Sequence, residues 1–156
     1  FDAHIAQNEE QRLIMWERRE AAAEISLLKT PLINNDIAVP LDKVSKFLNV
    51  MEKKLPELDA DADVLIVSHL GDGNVHYTVW PSKDDDNHKD KIMEEIENVV
   101  LTLGGSFSAE HGIGLSKLSS MERRKDRVSL NVMRQIKNAI DPEGIMNPGK
   151  VLPKAN

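Results

Sequence analysis

The stretch Ser68-His69-Leu70-Gly71-Asp72-Gly73-Asn74-Val75-His76-Tyr77 decides how this 156-residue chain folds. An apolar, mostly β-branched run (Val64, Leu65, Ile66, Val67) leads into it, and an alternating segment (Val75, Tyr77, Val79) leads out. Two strand patterns separated by Asp-Gly signal a tight β-hairpin. With Asp72 and Gly73 as the loop pair, Leu70 faces Val75 and His69 faces His76. Residues directly opposed on antiparallel strands hold their Cβ atoms about 4.5–5.5 Å apart on one face. The spacing therefore predicts two imidazoles at one point, close enough to share a metal ion. A loop one residue longer would slip the pairing and weaken that expectation.

Outward from the hairpin, periodicity supplies the other elements. Residues 3–29 read as a long helix with Leu13, Trp16, Ile25 and Leu28 at mostly helical spacing, closed by Pro31. Residues 33–39 read as a short strand, with Asn34-Asn35-Asp36 at its start or in a turn. Residues 41–55 read as a helix whose Val44, Phe47, Leu48, Met51 and Leu55 share one face. Asp84-Asp85-Asp86 read as a solvated loop whose charge favours the N-terminus of the next helix, residues 87–103. That helix carries Ile92, Ile96, Val99, Val100 and Leu103, and Gly104-Gly105 stops it. A strand over 106–110, short helical turns over 115–127 and a last helix over 128–140 complete the order. The middle is strand, helix, strand, strand, helix, strand. This is the α+β, ferredoxin-like β-α-β-β-α-β order, an antiparallel sheet with helices on one face, here with an added N-terminal helix and an added C-terminal helix.

Composition excludes several classes. Hydrophobic residues make up 40% of the chain, which suits a globular domain. A net charge of −6 without a basic stripe argues against nucleic acid as partner. The longest apolar runs are too short to span a bilayer. With no cysteine there is no disulfide, zinc-thiolate site or thiol nucleophile, which fits a reducing compartment. No signal-peptide pattern is present. The chain opens on Phe1, so residues 1–156 are expected to form one domain of a longer protein.

Four residues could carry chemistry: His69, His76, Glu110 and His111. Two opposed histidines with a carboxylate suit zinc, manganese or iron and leave positions open for water or substrate. His111 could accept a proton near neutral pH, and the glycines at 112 and 114 would let backbone approach a flat ligand. On pattern alone Arg19 reads as a solvated arginine, and His4 and His88 receive no role. One topological difficulty stands. In a bare ferredoxin-like sheet the hairpin turn lies at one end, and the strand leading to Glu110 finishes at the other. From these residues a metal-dependent hydrolase and a non-catalytic ferredoxin-like interaction module also remain open.

Three segments carry a resemblance: His-Leu-Gly-Asp-Gly-Asn-Val-His (69–76), Ser-Ala-Glu-His-Gly-Ile-Gly (108–114) and Asp-Pro-Glu-Gly-Ile-Met-Asn-Pro-Gly-Lys (141–150). In order and separation they resemble the C-terminal domain of FAD-linked D-2-hydroxy acid dehydrogenases, a group that includes D-lactate dehydrogenases, the glycolate oxidase flavin subunit and D-2-hydroxyglutarate dehydrogenase. Trp16-Glu17-Arg18-Arg19-Glu20 resembles that family's Trp-x-x-Arg-Glu. The resemblance implies a cap and substrate domain working beside an N-terminal FAD domain of the vanillyl-alcohol-oxidase type, which no stretch of this chain resembles. It implies that His69, His76 and Glu110 bind a divalent metal, commonly zinc, that His111 is the general base, that Arg19 pairs with the substrate carboxylate, and that Asn147 approaches the flavin. It implies a small 2-hydroxy acid as substrate, a 2-oxo acid as product and a separate electron acceptor. Homodimerisation is left open. The implied location is cytoplasmic in a bacterium or mitochondrial in a eukaryote. The fragment alone is expected to be inactive. The chain departs from members acting on D-2-hydroxyglutarate at Ala23, Asn34 and Thr78, where those carry threonine, lysine and asparagine. This favours a smaller or more apolar 2-hydroxy acid at least as much as one with a second carboxylate.

Overall fold

The computed structural model describes residues 4–25 and 27–154. Its elements are α1 (Glu9–Ile25), β1 (Ile33–Ala38), a 3-10 turn (Leu41–Lys43), α2 (Val44–Leu58), β2 (Asp63–His69), β3 (Asn74–Trp80), α3 (Asp86–Thr102), α4 (Leu118–Arg124) and α5 (Arg127–Ile140). The strands form an antiparallel sheet in the order β1-β3-β2. The α+β class therefore stands. Residues 3 and 26 of the expected first helix lie outside the described residues. Around Pro56 the second helix runs further than expected, to Leu58.

Strand alternation gives the sheet two unlike faces. Ile33 and Ile37 of β1 and Val75, Tyr77 and Val79 of β3 point to one side and are buried. There they meet Val44, Phe47, Met51 and Leu55 of α2 and Ile92, Ile96, Val99 and Val100 of α3. Phe47 meets the Tyr77 ring edge-on at 5.6 Å. Asp85 caps α3 by accepting the His88 N–H at 2.7 Å. The buried Glu97 of α3 accepts from Arg124 Nε at 2.8 Å and pairs with Arg123, which ties α4 to α3. The opposite face carries Asn34, Asp36, Asn74, His76, Thr78, Val67 and His69.

The fourth strand of the ferredoxin-like order is the element to correct. Between 106 and 110 only one bridge forms, Ala38 with Ser106, antiparallel. It lies on the edge of β1 away from β3, where that order places a fourth strand. Beyond Ser106 the backbone turns away from a regular ladder. Ser106 and Ser108 bond locally, through Ser106 Oγ to Ser108 O and Ser108 Oγ to Gly112 O. The Ala109 N–H is shared between the Asp36 main-chain carbonyl at 3.1 Å and the Asp36 side chain at 3.2 Å, and the N–H groups of Glu110 and His111 turn to that side chain alone.

α5 matches its expected helix, and Asp126 caps it by accepting the Ser129 N–H at 2.8 Å. Its apolar stripe is mostly uncovered: Leu130 is buried, while Ile136 and Ile140 are exposed.

Candidate active site

The hairpin places its histidines together by a different register from the one expected. β2 ends at His69, β3 begins at Asn74, and the loop is 70–73. His69 pairs with Asn74, and Val67 pairs with His76. The cause lies in the loop. Asp72 Oδ1 accepts the Asn74 N–H at 3.0 Å, and the carbonyl of Gly73, at φ 77°, accepts the Val39 N–H at 3.1 Å. A Cβ on Gly73 would lie 2.1 Å from the Val39 oxygen, so glycine is required there. The displacement amounts to two positions and not one. A shift of two preserves the face, so His69 and His76 become diagonal neighbours with ring centroids 5.3 Å apart.

Glu110 reaches this pair because the 106–111 segment stops short. β1 runs antiparallel to β3, and Asp36 stands opposite His76. Residues 109–111 gather on Asp36 and travel no further along β1. Glu110 Oε1 consequently lies 2.9 Å from His76 Nε2, 3.7 Å from His69 Nε2 and 3.6 Å from His111 Nε2. The His111 ring stacks on His76 at 5.1 Å. Asp36, His76, Glu110 and His111 each bring a donor atom within 4.8 Å of the others. His69, His76, Glu110 and His111 are thus brought together. The topological difficulty disappears because the fourth strand is a loop.

Asp36 is the site residue that the sequence reading missed. Its one signal was a carboxylate between Ile33 and Ile37 in a strand-length segment. The side chain is fully buried. Burial alone would raise its pKa. The His111 N–H, the Asn74 amide, the Lys117 charge and the Glu110 N–H outweigh burial and hold it below the usual carboxylate range. His76 is shifted below the ordinary imidazole value, chiefly by burial, with Glu110 opposing and His111 contributing.

The cluster forms the wall of a cleft of about 550 Å³, lined also by Arg19, Glu20, Leu27, Asn34, Val67, Ser68 and Thr78. Arg19 pairs with Glu20 at 2.8 Å and sits 5.4 Å from the Trp16 ring centroid. Arg19 is the one permanent cation among the described lining residues. Asn147 is not part of this cleft. It adopts φ 47° in the turn after α5 and lines a separate apolar cleft with Met133, Ile136, Ile140 and Val151. The donors within 4.8 Å of one another are those of Asp36, His76, Glu110 and His111, and His69 joins them through Glu110 Oε1 at 3.7 Å; imidazole and carboxylate donors so placed fit a divalent ion of the zinc, manganese or iron type.

The family model for the C-terminal domain of FAD linked oxidases matches residues 2–151. The chain is 34% identical to a D-2-hydroxyglutarate dehydrogenase of Stutzerimonas stutzeri, over 97% of this chain and 33% of that protein. It is 32% identical to the glycolate oxidase subunit GlcD of Bacillus subtilis, over 96% of this chain and 32% of that protein. It is also 32% identical to a putative mitochondrial D-lactate dehydrogenase of Schizosaccharomyces pombe, over 96% of this chain and 30% of that protein. The chain thus spans about a third of the length of these relatives. Among the described residues no helix is long and apolar enough to cross a membrane.

Proposed function

This chain belongs to the family of C-terminal domains of FAD-linked oxidases, and on that premise we propose that it is the metal- and substrate-holding domain of a flavin-dependent dehydrogenase acting on a D-2-hydroxy acid. The observation that supports this most is the meeting of His69, His76 and Glu110 beside His111, in a cleft that also contains Arg19.

His69 Nε2, His76 Nε2 and Glu110 Oε1 would hold a divalent ion, most simply zinc. When bound, that ion supplies Lewis acidity toward the substrate hydroxyl and carboxylate. FAD, held by a separate N-terminal domain of the same protein, supplies the hydride acceptor.

The chain's own groups do the rest. The Arg19 guanidinium takes the substrate carboxylate in a planar, two-pronged contact, which replaces its surface pairing with Glu20. His111 accepts the hydroxyl proton on its imidazole, and its half-exposed ring faces the cleft. Leu27 and Val67 line the cleft with apolar groups. Asn34 and Thr78 line the cleft with uncharged groups. With one permanent cation among the described lining residues, the cleft favours a substrate with one carboxylate over a dicarboxylate. Ala23, the other departure from the hydroxyglutarate pattern, has no described side chain. Asn147, in the turn after α5, would approach the flavin. The product would be a 2-oxo acid, and a separate electron acceptor would complete the turnover. In a bacterium the protein works in the cytoplasm, and in a eukaryote in the mitochondrion.

The test is turnover of D-lactate by the full-length flavoprotein before and after His111→Ala. We expect kcat to fall by roughly 10²–10⁴-fold with bound metal retained. Unchanged kcat would refute the assigned base.

A further inference from the structure

We propose that Asp36 is the positioning residue of this site, a buried carboxylate that docks the 109–111 segment onto the sheet and so presents Glu110 and His111 to His76, without itself being a ligand. Its Oδ2 receives the N–H groups of Ala109 at 3.2 Å, Glu110 at 3.0 Å and His111 at 2.8 Å. Lys117 Nζ adds a contact to the same oxygen at 3.2 Å, and Asn74 Nδ2 donates to Oδ1 at 2.9 Å. Consecutive N–H groups curled on one anion form a nest, a local concentration of positive partial charge that a buried carboxylate satisfies.

Asp36 belongs to the group of donors that could reach a common ion. Two observations argue that it does not bind one. Each carboxylate oxygen offers about two lone-pair positions, and four of the five donors named above crowd onto Oδ2, which leaves that oxygen no room for an ion, while Oδ1 takes the Asn74 amide. The buried Lys117 ammonium sits against Oδ2, where a second cation would be repelled. Asp36 also touches each part that must be aligned. Asn74 opens the strand carrying His76, Glu110 and His111 follow directly from the nest, and Asp36 itself stands opposite His76 on β1. The half-exposed Glu110 side chain has no comparable anchor of its own.

The role rests on the metal-site reading for its consequence but not for its test. Amide hydrogen exchange is compared in full-length wild-type protein and Asp36→Asn, both stripped of metal by chelator, and zinc affinity is then measured on each. We expect exchange over 108–112 to accelerate by about tenfold or more while Val75–Val79 changes little. We expect zinc affinity to fall by roughly 10–100-fold, the range for partners that orient ligands. Unchanged exchange over 108–112, or equal acceleration through β3 and α3, overturns the proposal. So does weakened zinc binding with an undisturbed 108–112 segment, since that is the signature of a lost ligand. If the variant does not fold, Lys117→Met replaces it. There the same localised acceleration is expected, and its absence counts against the proposal. A wild-type protein that binds no zinc refutes the metal reading, while the exchange data still decide the role of Asp36.

Discussion

His76 Nε2 lies 2.9 Å from Glu110 Oε1. That contact joins the inner strand of the hairpin to a loop that no regular strand pairing holds in place. It makes one locus out of parts of the chain with separate structural origins: strand alternation sets the histidines, and the 106–111 loop sets the acid. Arg19, on α1, reaches the same cleft from a third direction.

Arg19 is tested through binding. A charge-assisted contact to a carboxylate contributes about 1.5–3 kcal/mol. Arg19→Met should therefore raise KM for a 2-hydroxy acid by roughly 10–100-fold with a smaller change in kcat, and Arg19→Lys should fall between. Steady-state kinetics on the full-length enzyme decide this, and a KM that stays put would remove Arg19 from the site.

Gly73 tests how the hairpin is held. With φ 77° and a virtual Cβ 2.1 Å from the Val39 oxygen, Gly73→Ala must shift the loop against β1. We expect a loss of about 1–3 kcal/mol of stability in urea unfolding. Gly71→Ala, where a Cβ meets nothing within 4 Å, should cost much less.

Asp59 supplies a pH dependence away from the site. Burial pushes its pKa up, but His88 Nε2 at 2.8 Å and the Ser82 N–H at 2.8 Å outweigh that and lower it from 3.8 to about 2. A depressed carboxylate stabilises the fold above its unfolded pKa and loses that contribution as pH falls through the folded value. The window is therefore pH 3.8 down to about 2. Across it Asp59 should account for on the order of 1–2 kcal/mol of lost stability. Asp59→Asn should flatten that part of an acid-unfolding curve followed by circular dichroism.

Much of this molecule could be read from residue order, because the strongest signals are periodic. Phe47, Met51 and Leu55 on one helix face, and Val75, Tyr77 and Val79 on one strand face, defined the core. Two features were hidden. The hairpin register depended on Asp72 and Gly73 bonding to Asn74 and Val39, and Val39 belongs to another part of the chain. The correct face for His69 survived only because the register moved by two. The fourth strand failed for a similar reason: the Ala109 N–H still reaches the Asp36 main-chain carbonyl at 3.1 Å, but the N–H groups of Glu110 and His111 turn to the Asp36 carboxylate, and a side chain's distant donors leave no periodic trace. Asn147 was identified by its motif, which carries no information on its distance from the histidines.

The central claim is that His69, His76 and Glu110 share one cation, and zinc stoichiometry measures it most directly. The full-length protein, stripped by chelator and re-equilibrated with zinc, should bind close to one ion per chain at this site. His76→Ala and Glu110→Gln should each weaken that binding by more than roughly 100-fold, beyond the effect of an orienting partner. Undiminished zinc binding in both variants, or none in the wild type, would contradict the account.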